Sequence, residues 1–217
     1  MTKEINDHSE RQHWELQLRD DLPPGTKTIW SIWSFKRKRF PDGSLNKHKA
    51  RLCAHCGMQV WGENYWKTYV PVLVNWLSVR LLMTLARIHG LNAKSIYFFL
   101  AFPQADLDVD IFMEIPAGMQ VEDDNTPGTQ DGRKGKYVIK LKKSLYGLKQ
   151  AGHNWYHMLR EGLEKRGFKS SIIDECVFYS EGAVILTYVD DCIIFADTPY
   201  HVMPSYNRYG MVRRTLI

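Results

Sequence analysis

Leu186 to Phe195 reads LTYVDDCIIF, and this stretch constrains the fold more than any other. Two apolar runs rich in β-branched residues flank a pair of adjacent carboxylates, Asp190 and Asp191. Such runs fit a pleated, half-buried surface, and a polar pair between them fits a tight turn. The segment therefore predicts two antiparallel strands with the acids at the tip. Like charges side by side repel, and strand pairing does not need them. Asp is an ordinary turn residue, so a polar turn alone accounts for a bare pair. The alternative is a divalent cation that relieves the repulsion, since hard Mg²⁺ takes carboxylate oxygens and substrate phosphates.

A hairpin of this kind must bury one face, and the chain has the material for it. Of 217 residues, 44% are hydrophobic and 12% aromatic, enough for one large domain or two small ones and too many for a disordered chain. The formal charge of +5 suits a polyanionic partner without requiring one. Cys53, Cys56, Cys176 and Cys192 are too few and too scattered for a disulfide framework. No apolar run approaches membrane-spanning length, and residues 1–10 are polar rather than a signal peptide. The expectation is an intracellular, cytoplasmic protein with no membrane partner.

Residues 1–20 form a polar segment with Trp14, Leu16 and Leu18 as its apolar points, suited to a short helix or an edge segment. Thr26 to Phe35 predicts a strand, Pro41-Asp42-Gly43 a turn, and Lys47 to Cys53 the returning strand of a basic hairpin. That hairpin is explained equally well as a solvated charged surface or as a phosphate-binding one. Cys53, His55 and Cys56, with His48 nearby, invite a zinc reading, but a second ligand pair at tetrahedral spacing is missing. From Val74 to His89, apolar residues at Val74, Leu77, Leu81, Leu82, Leu85 and Ile88 give a helical period whose face should pack on a sheet, with Gly90 ending the helix. Ile96 to Phe102 is a continuous apolar run that predicts a buried strand; the acids of the next segment, Asp106, Asp108, Asp110 and Glu114, fit an alternating polar face. Residues 120–136 predict a surface loop, Tyr137 to Leu141 a strand, and Asn154 to Arg166 a helix capped by Asn154 and Gly167. Cys176 to Tyr179 adds a short strand before the acidic hairpin. Strands and helices mixed in this way indicate an α+β fold with a mainly antiparallel sheet and packed helices.

Four separated stretches share one likeness: DLPPGTK…FKRKRFPDGSLNKHKARL at 21–52, FLAFPQADLDVDIFMEIPAGM at 99–119, LKKSLYGLKQA at 141–151 and LTYVDDCIIF at 186–195. In order and spacing they resemble the reverse transcriptase domain of copia-type LTR retrotransposons, over about residues 10–197. The resemblance implies the fingers and palm of a right-hand polymerase at 21–197, which copies an RNA template onto a DNA primer from deoxynucleoside triphosphates. It also implies two Mg²⁺ ions, about 3.5–4 Å apart, that clamp the attacking and leaving oxygens. By the same resemblance Asp190 and Asp191 match the hairpin's metal-binding carboxylates. Lys36, Lys38, Lys49 and Arg51 match the fingers hairpin that grips the triphosphate. Phe102 matches an aromatic gate that excludes a 2′-hydroxyl, and Tyr146, Lys149 and Gln150 match the turn against the template–nucleotide pair.

The sequence departs from the pattern at one central point. The family's first metal-binding Asp falls five residues before the gate aromatic, where this chain has Tyr97. A phenol with pKa about 10 is a poor ligand for Mg²⁺ at neutral pH. Asp106, nine residues further on, cannot replace it without rebuilding the strand. Cys56 stands where a Gly is usual and Gly152 where a Pro is usual. Residues 198–217 carry Pro199, Pro204 and Gly210 and no helical period, so the sequence predicts a divergent tail and no thumb. The expectation is a truncated, decayed copy that has lost polymerase activity; the alternative is a non-catalytic remnant that binds nucleic acid through the basic hairpin. The oligomeric state is not legible.

Overall fold

The computed structural model describes residues 1–71, 75–121, 135–197 and 211–215. In chain order the elements are α1 (Thr2–Glu10), β1 (Trp14–Leu18), β2 (Thr28–Ile29), β3 (Ser31–Arg39), β4 (Leu45–Ala54), α2 (Trp76–Ile88) and β5 (Asn92–Phe98). They continue with β6 (Asp106–Glu114), β7 (Tyr137–Lys143), α3 (Ala151–Glu164), β8 (Lys169–Ser170), β9 (Val177–Ser180), β10 (Ala183–Tyr188), β11 (Asp191–Ala196) and β12 (Met211–Thr215). The described residues thus form an α+β chain of sheets and three α-helices. They group into two units of interleaved segments: residues 1–68 with 105–151, and residues 69–104 with 152–217.

Strand β7 organises the first unit. Val138, Ile139 and Leu141 are buried along it, as expected of a strand covered on both faces. It pairs antiparallel with β1 and β6, and β6 pairs parallel with β2, giving the order β1-β7-β6-β2. The N-terminal segment is therefore both the helix and the edge strand that its apolar points allowed. On β6, Asp106 pairs with Lys143 at 2.6 Å and Asp110 with Lys140 at 2.8 Å, so these acids serve the sheet's polar face. The buried Glu114 accepts from Arg19 and Thr28. Between α1 and β1, His8 and His13 are both buried, with their Nδ1 atoms 2.8 Å apart. Cys56 lies outside the positive-φ residues, so the missing Gly strains nothing there.

The second unit is a six-stranded sheet of order β12-β5-β11-β10-β9-β8, antiparallel at every pairing. Asn75 caps α2 by accepting from the Leu77 N–H at 2.9 Å. At the other end Gly90, at φ +64°, lets the Leu91 N–H reach the Ala86 carbonyl at 2.8 Å, the bond that closes a Schellman motif. The face of α2 agrees with the expectation at Leu82 alone, Val74 lying outside the described residues. Val79, Leu82 and Ala86 pack on Val177, Leu186 and Phe195, while Leu77, Leu81, Leu85 and Ile88 are exposed. The helix has two apolar stripes, and the sheet meets the one containing Ala86, whose small side chain permits close approach.

Three boundaries also move. Strand β5 ends at Phe98, because Leu100 takes φ +51°; Phe102 to Gln104 then form a 3-10 turn, so the run read as one strand divides into two elements. Helix α3 starts at Ala151, which puts Asn154 inside it rather than at its cap, and buries Trp155, Leu159 and Leu163. Gly167 ends α3 as expected, at φ +84°. The segment read as an aperiodic tail contributes β12, which pairs Val212 with Tyr97. The surface-loop expectation falls largely on residues 122–134, outside the described ones. No helix among the described residues is long and apolar enough to cross a membrane.

Candidate active site

Strands β10 and β11 pair Leu186 with Ile193, Thr187 with Cys192 and Tyr188 with Asp191. That register leaves Val189 and Asp190 as a two-residue turn, with the acids at the tip as expected. Val189 adopts φ +51°, an uncommon state for a β-branched residue, at a cost on the order of 1–2 kcal/mol. Two hydrogen bonds hold it there. Trp155 Nε1 on α3 donates to the Val189 carbonyl at 2.9 Å, and the Phe98 N–H on β5 donates to the Asp190 carbonyl at 2.7 Å. The Phe98 and Trp155 rings meet edge-on with centroids 5.0 Å apart, which ties the two donors together.

Strand β5 lies beside β11 with Tyr97 directly opposite Asp191. Opposed residues project from the same face of a sheet, so the register brings Tyr97 and Asp191 together next to Asp190. Asp191 is exposed; Asp190 is half-buried, with its Oδ1 atom shielded from solvent. The neighbouring Cys192 is enclosed, and burial, with Asp191 adding to it, pushes its thiol far up, so no thiolate adds to the charge at the tip. Phe102 lines a small pocket with Trp155, Thr187 and Val189, which puts the gate candidate beside the hairpin turn.

The remaining candidates belong to the first unit. Strands β3 and β4 form the expected hairpin around Asp42, whose carboxylate accepts from the Ser44 N–H at 2.8 Å and the Ser44 hydroxyl at 2.7 Å. Its register opposes Lys36 to Lys49 and Lys38 to Lys47, with Arg51 opposite Ser34. By strand alternation these five cations share one face. Like charges directly opposed weaken a sheet, so the local fold gains nothing from this arrangement. The other face carries Trp33 and Phe35, stacked with centroids 6.2 Å apart. Arg51 also lies over the Tyr146 ring, 5.3 Å from its centre. Lys149 rests over the Tyr65 ring at 4.6 Å and donates to its hydroxyl at 3.1 Å. Gln150 is buried, accepting from Gln59 Nε2 at 2.9 Å and donating to the Asn64 carbonyl at 2.7 Å, so it braces its loop internally.

The sequence model of the reverse transcriptase (RNA-dependent DNA polymerase) family matches residues 13–203. The chain belongs to that family. It is 35% identical over 204 residues to the retrovirus-related Pol polyprotein from transposon RE1 of Arabidopsis thaliana, covering 92% of this chain and 13% of that protein. The Pol polyprotein from transposon RE2 of the same plant is 33% identical, covering 89% of this chain and 13% of its own length. That from transposon TNT 1-94 of Nicotiana tabacum is 32% identical, covering 80% and 13%. The chain thus spans about an eighth of these relatives, which are Pol polyproteins of copia-type elements.

For a reverse transcriptase the donor set at the hairpin is short. Mg²⁺ takes hard, charged oxygens in near-octahedral geometry, and here two carboxylates face a phenol. Among the described residues, no group of three or more His, Cys, Asp or Glu could hold a metal ion. That statement takes in the Cys53, His55 and Cys56 cluster; burial also raises the Cys53 thiol. The residues present do not fit a two-metal centre.

Two contributors were not legible as site residues. Trp155 lies inside the helix expected over Asn154 to Arg166, and no local pattern says that its indole reaches the hairpin carbonyl. Lys47, legible only as the start of the returning strand, joins the cationic face through its pairing with Lys38.

Proposed function

We propose that this reverse transcriptase domain combines a fingers unit with a palm unit, and that it binds nucleic acid but does not extend a primer. One observation carries the reading: Tyr97 occupies the β5 position directly opposite Asp191, where the family resemblance calls for a carboxylate. The phenol offers no carboxylate oxygen, so Asp190 and Asp191 are the acids of the turn, too few for two dications. No transfer step is therefore assigned to this chain. Binding rests on the cationic face of β3–β4, where Lys36, Lys38, Lys47, Lys49 and Arg51 suit the phosphates of an RNA template, a DNA primer or a deoxynucleoside triphosphate. Phe102 and Tyr146 are assigned as the gate and the template-side ring.

Primer extension with Mg²⁺ on an RNA–DNA primer-template tests the reading, run beside salt-dependent oligonucleotide binding. Wild type should bind, with affinity falling steeply as salt rises, and should not extend. Lys38→Glu with Arg51→Glu should abolish binding. Tyr97→Asp should raise Mg²⁺ affinity in calorimetry. Robust extension by the wild type would refute the missing-ligand argument, and unchanged binding by the double variant would reduce the cationic face to a solvated surface.

A further inference from the structure

Helix α2 shows two apolar stripes, and among the described residues only one of them is buried. Leu77, Leu81, Leu85 and Ile88 recur at intervals of four, four and three, which places them on one ridge along the outer side of the helix. All four are exposed, Leu77 at 71% and Ile88 at 69%. The loop clasped to the start of the helix adds two more exposed apolar residues. Asp174 accepts from the Asn75 N–H at 2.9 Å and the Ser78 hydroxyl at 2.6 Å. This clasp fixes Ile172 and Ile173, 99% and 92% exposed, beside the first turn of α2. Scattered exposed apolar residues are ordinary, whereas a contiguous set of this length marks an interaction surface.

The charges beside the ridge define what fits it. Helix α2 carries Arg80 and Arg87 and not one Asp or Glu. Seven residues apart, the two arginines lie in line along one border of the ridge. Guanidinium groups pair with carboxylates through a two-pronged hydrogen bond, and a ridge at this spacing seats in the groove of another helix. The geometry points to a docking site for a partner helix whose apolar residues recur at the same spacing and are bordered by Asp or Glu. A second copy of α2 is the wrong occupant, because an antiparallel copy brings arginine against arginine and a parallel one offers no carboxylate to pair with them. This inference does not rest on the polymerase reading, since it uses none of the residues assigned to the hairpin turn or the basic face.

The test uses the full chain and two synthetic stapled helical peptides, each with leucines at i, i+4, i+8 and i+11. One carries glutamates beside the leucines, the other lysines. Fluorescence anisotropy should give saturable binding of the glutamate peptide and at least tenfold weaker binding of the lysine peptide. Leu81→Ser should weaken the glutamate peptide at least tenfold. Arg80→Glu with Arg87→Glu should reverse the preference. All three positions are exposed, and an unchanged circular dichroism spectrum verifies that each variant folds. Equal binding of both peptides, binding of neither, or a preference that survives the arginine reversal would overturn the proposal. So would self-association in ultracentrifugation that Leu81→Ser dissolves, or adsorption to phosphatidylserine vesicles that competes with the peptide.

Discussion

Replacing Gly147 with Ala tests how the first unit is closed. Gly147 sits at φ +90°, and a Cβ built there would lie 2.3 Å from the Ala54 carbonyl oxygen, well inside the 3.0 Å that real Cβ contacts respect. Gly43, in the β3–β4 turn, has nearly the same backbone state, φ +86°, but nothing within 4 Å of such a Cβ. Gly43→Ala therefore carries only the backbone cost, about 1–2 kcal/mol. Gly147→Ala carries that and more. To make room, residue 147 must withdraw from β4, which stretches the bond from the Ala54 N–H to the Tyr146 carbonyl, now 2.7 Å. Ala54 is buried, and a buried donor left without its acceptor costs about 1–3 kcal/mol. The total for Gly147→Ala is about 2–5 kcal/mol, roughly 2 kcal/mol beyond the control at the middle of the range. With a urea slope of about 2 kcal/mol/M for a chain this size, the Gly147→Ala midpoint should fall about 1 M below that of Gly43→Ala. Equal midpoints would refute the close approach of the two backbones as the reason for this glycine.

Two further outcomes follow from charge. Lys47→Glu turns the Lys38–Lys47 opposition on the β3–β4 hairpin into an attractive pair, which should raise the unfolding free energy by about 0.2–1 kcal/mol and the urea midpoint with it. The same change should weaken oligonucleotide binding and flatten its salt slope, so a variant that loses both stability and affinity would contradict the account. Burial, with the charges of His8, Arg11 and Lys143 adding to it, lowers the His13 imidazole from 6.5 to about 3. His13 therefore stays neutral in the folded state while its unfolded form takes a proton below pH 6.5. Stability present above that pH should be lost as pH falls toward 3, with a slope of up to about 1.4 kcal/mol per pH unit from this one group. His13→Gln should flatten that part of the stability–pH curve; an unchanged slope would show that other groups govern it.

The sequence was most legible where local chemistry decides the structure. Asp42-Gly43 and the Asp190-Asp191 pair each sit between strand-forming runs, and both hairpins form as read. Gly90 and Gly167 end their helices for the reason glycine usually does. The errors arise where a partner decides. The Leu77–Leu81–Leu85–Ile88 stripe is the stronger helical period in its segment, yet the sheet takes the stripe of Val79, Leu82 and Ala86. Periodicity locates an apolar face without saying what covers it. Ile96 to Phe102 looked like one strand because its residues are uniformly apolar; the left-handed Leu100 that divides it has no signature in residue type. Strand β12 shows no alternation and is defined by pairing with β5. The candidate site was legible in its acids and in the departure at Tyr97. It was not legible in Trp155, whose contact with Val189 joins residues far apart in the chain.

The interleaving of the two units bears on when the protein can fold. Trp14 on β1 finds its partner at Leu141 on β7, and Tyr97 on β5 waits for Asp191 and Val212. A ribosome adding about 5–20 residues per second separates Trp14 from Leu141 by on the order of 10 s. Throughout that interval β1 is an unpaired edge, and β5 stays open on both sides until β11 is made and on one side until β12 follows. An N-terminal fragment ending before β7 would contain neither unit, so an interrupted message yields no folded half. Long-range closures of this kind also slow folding. Each unit is thus completed only when its C-terminal strands have emerged, and until then its unpaired edges are open to chaperones.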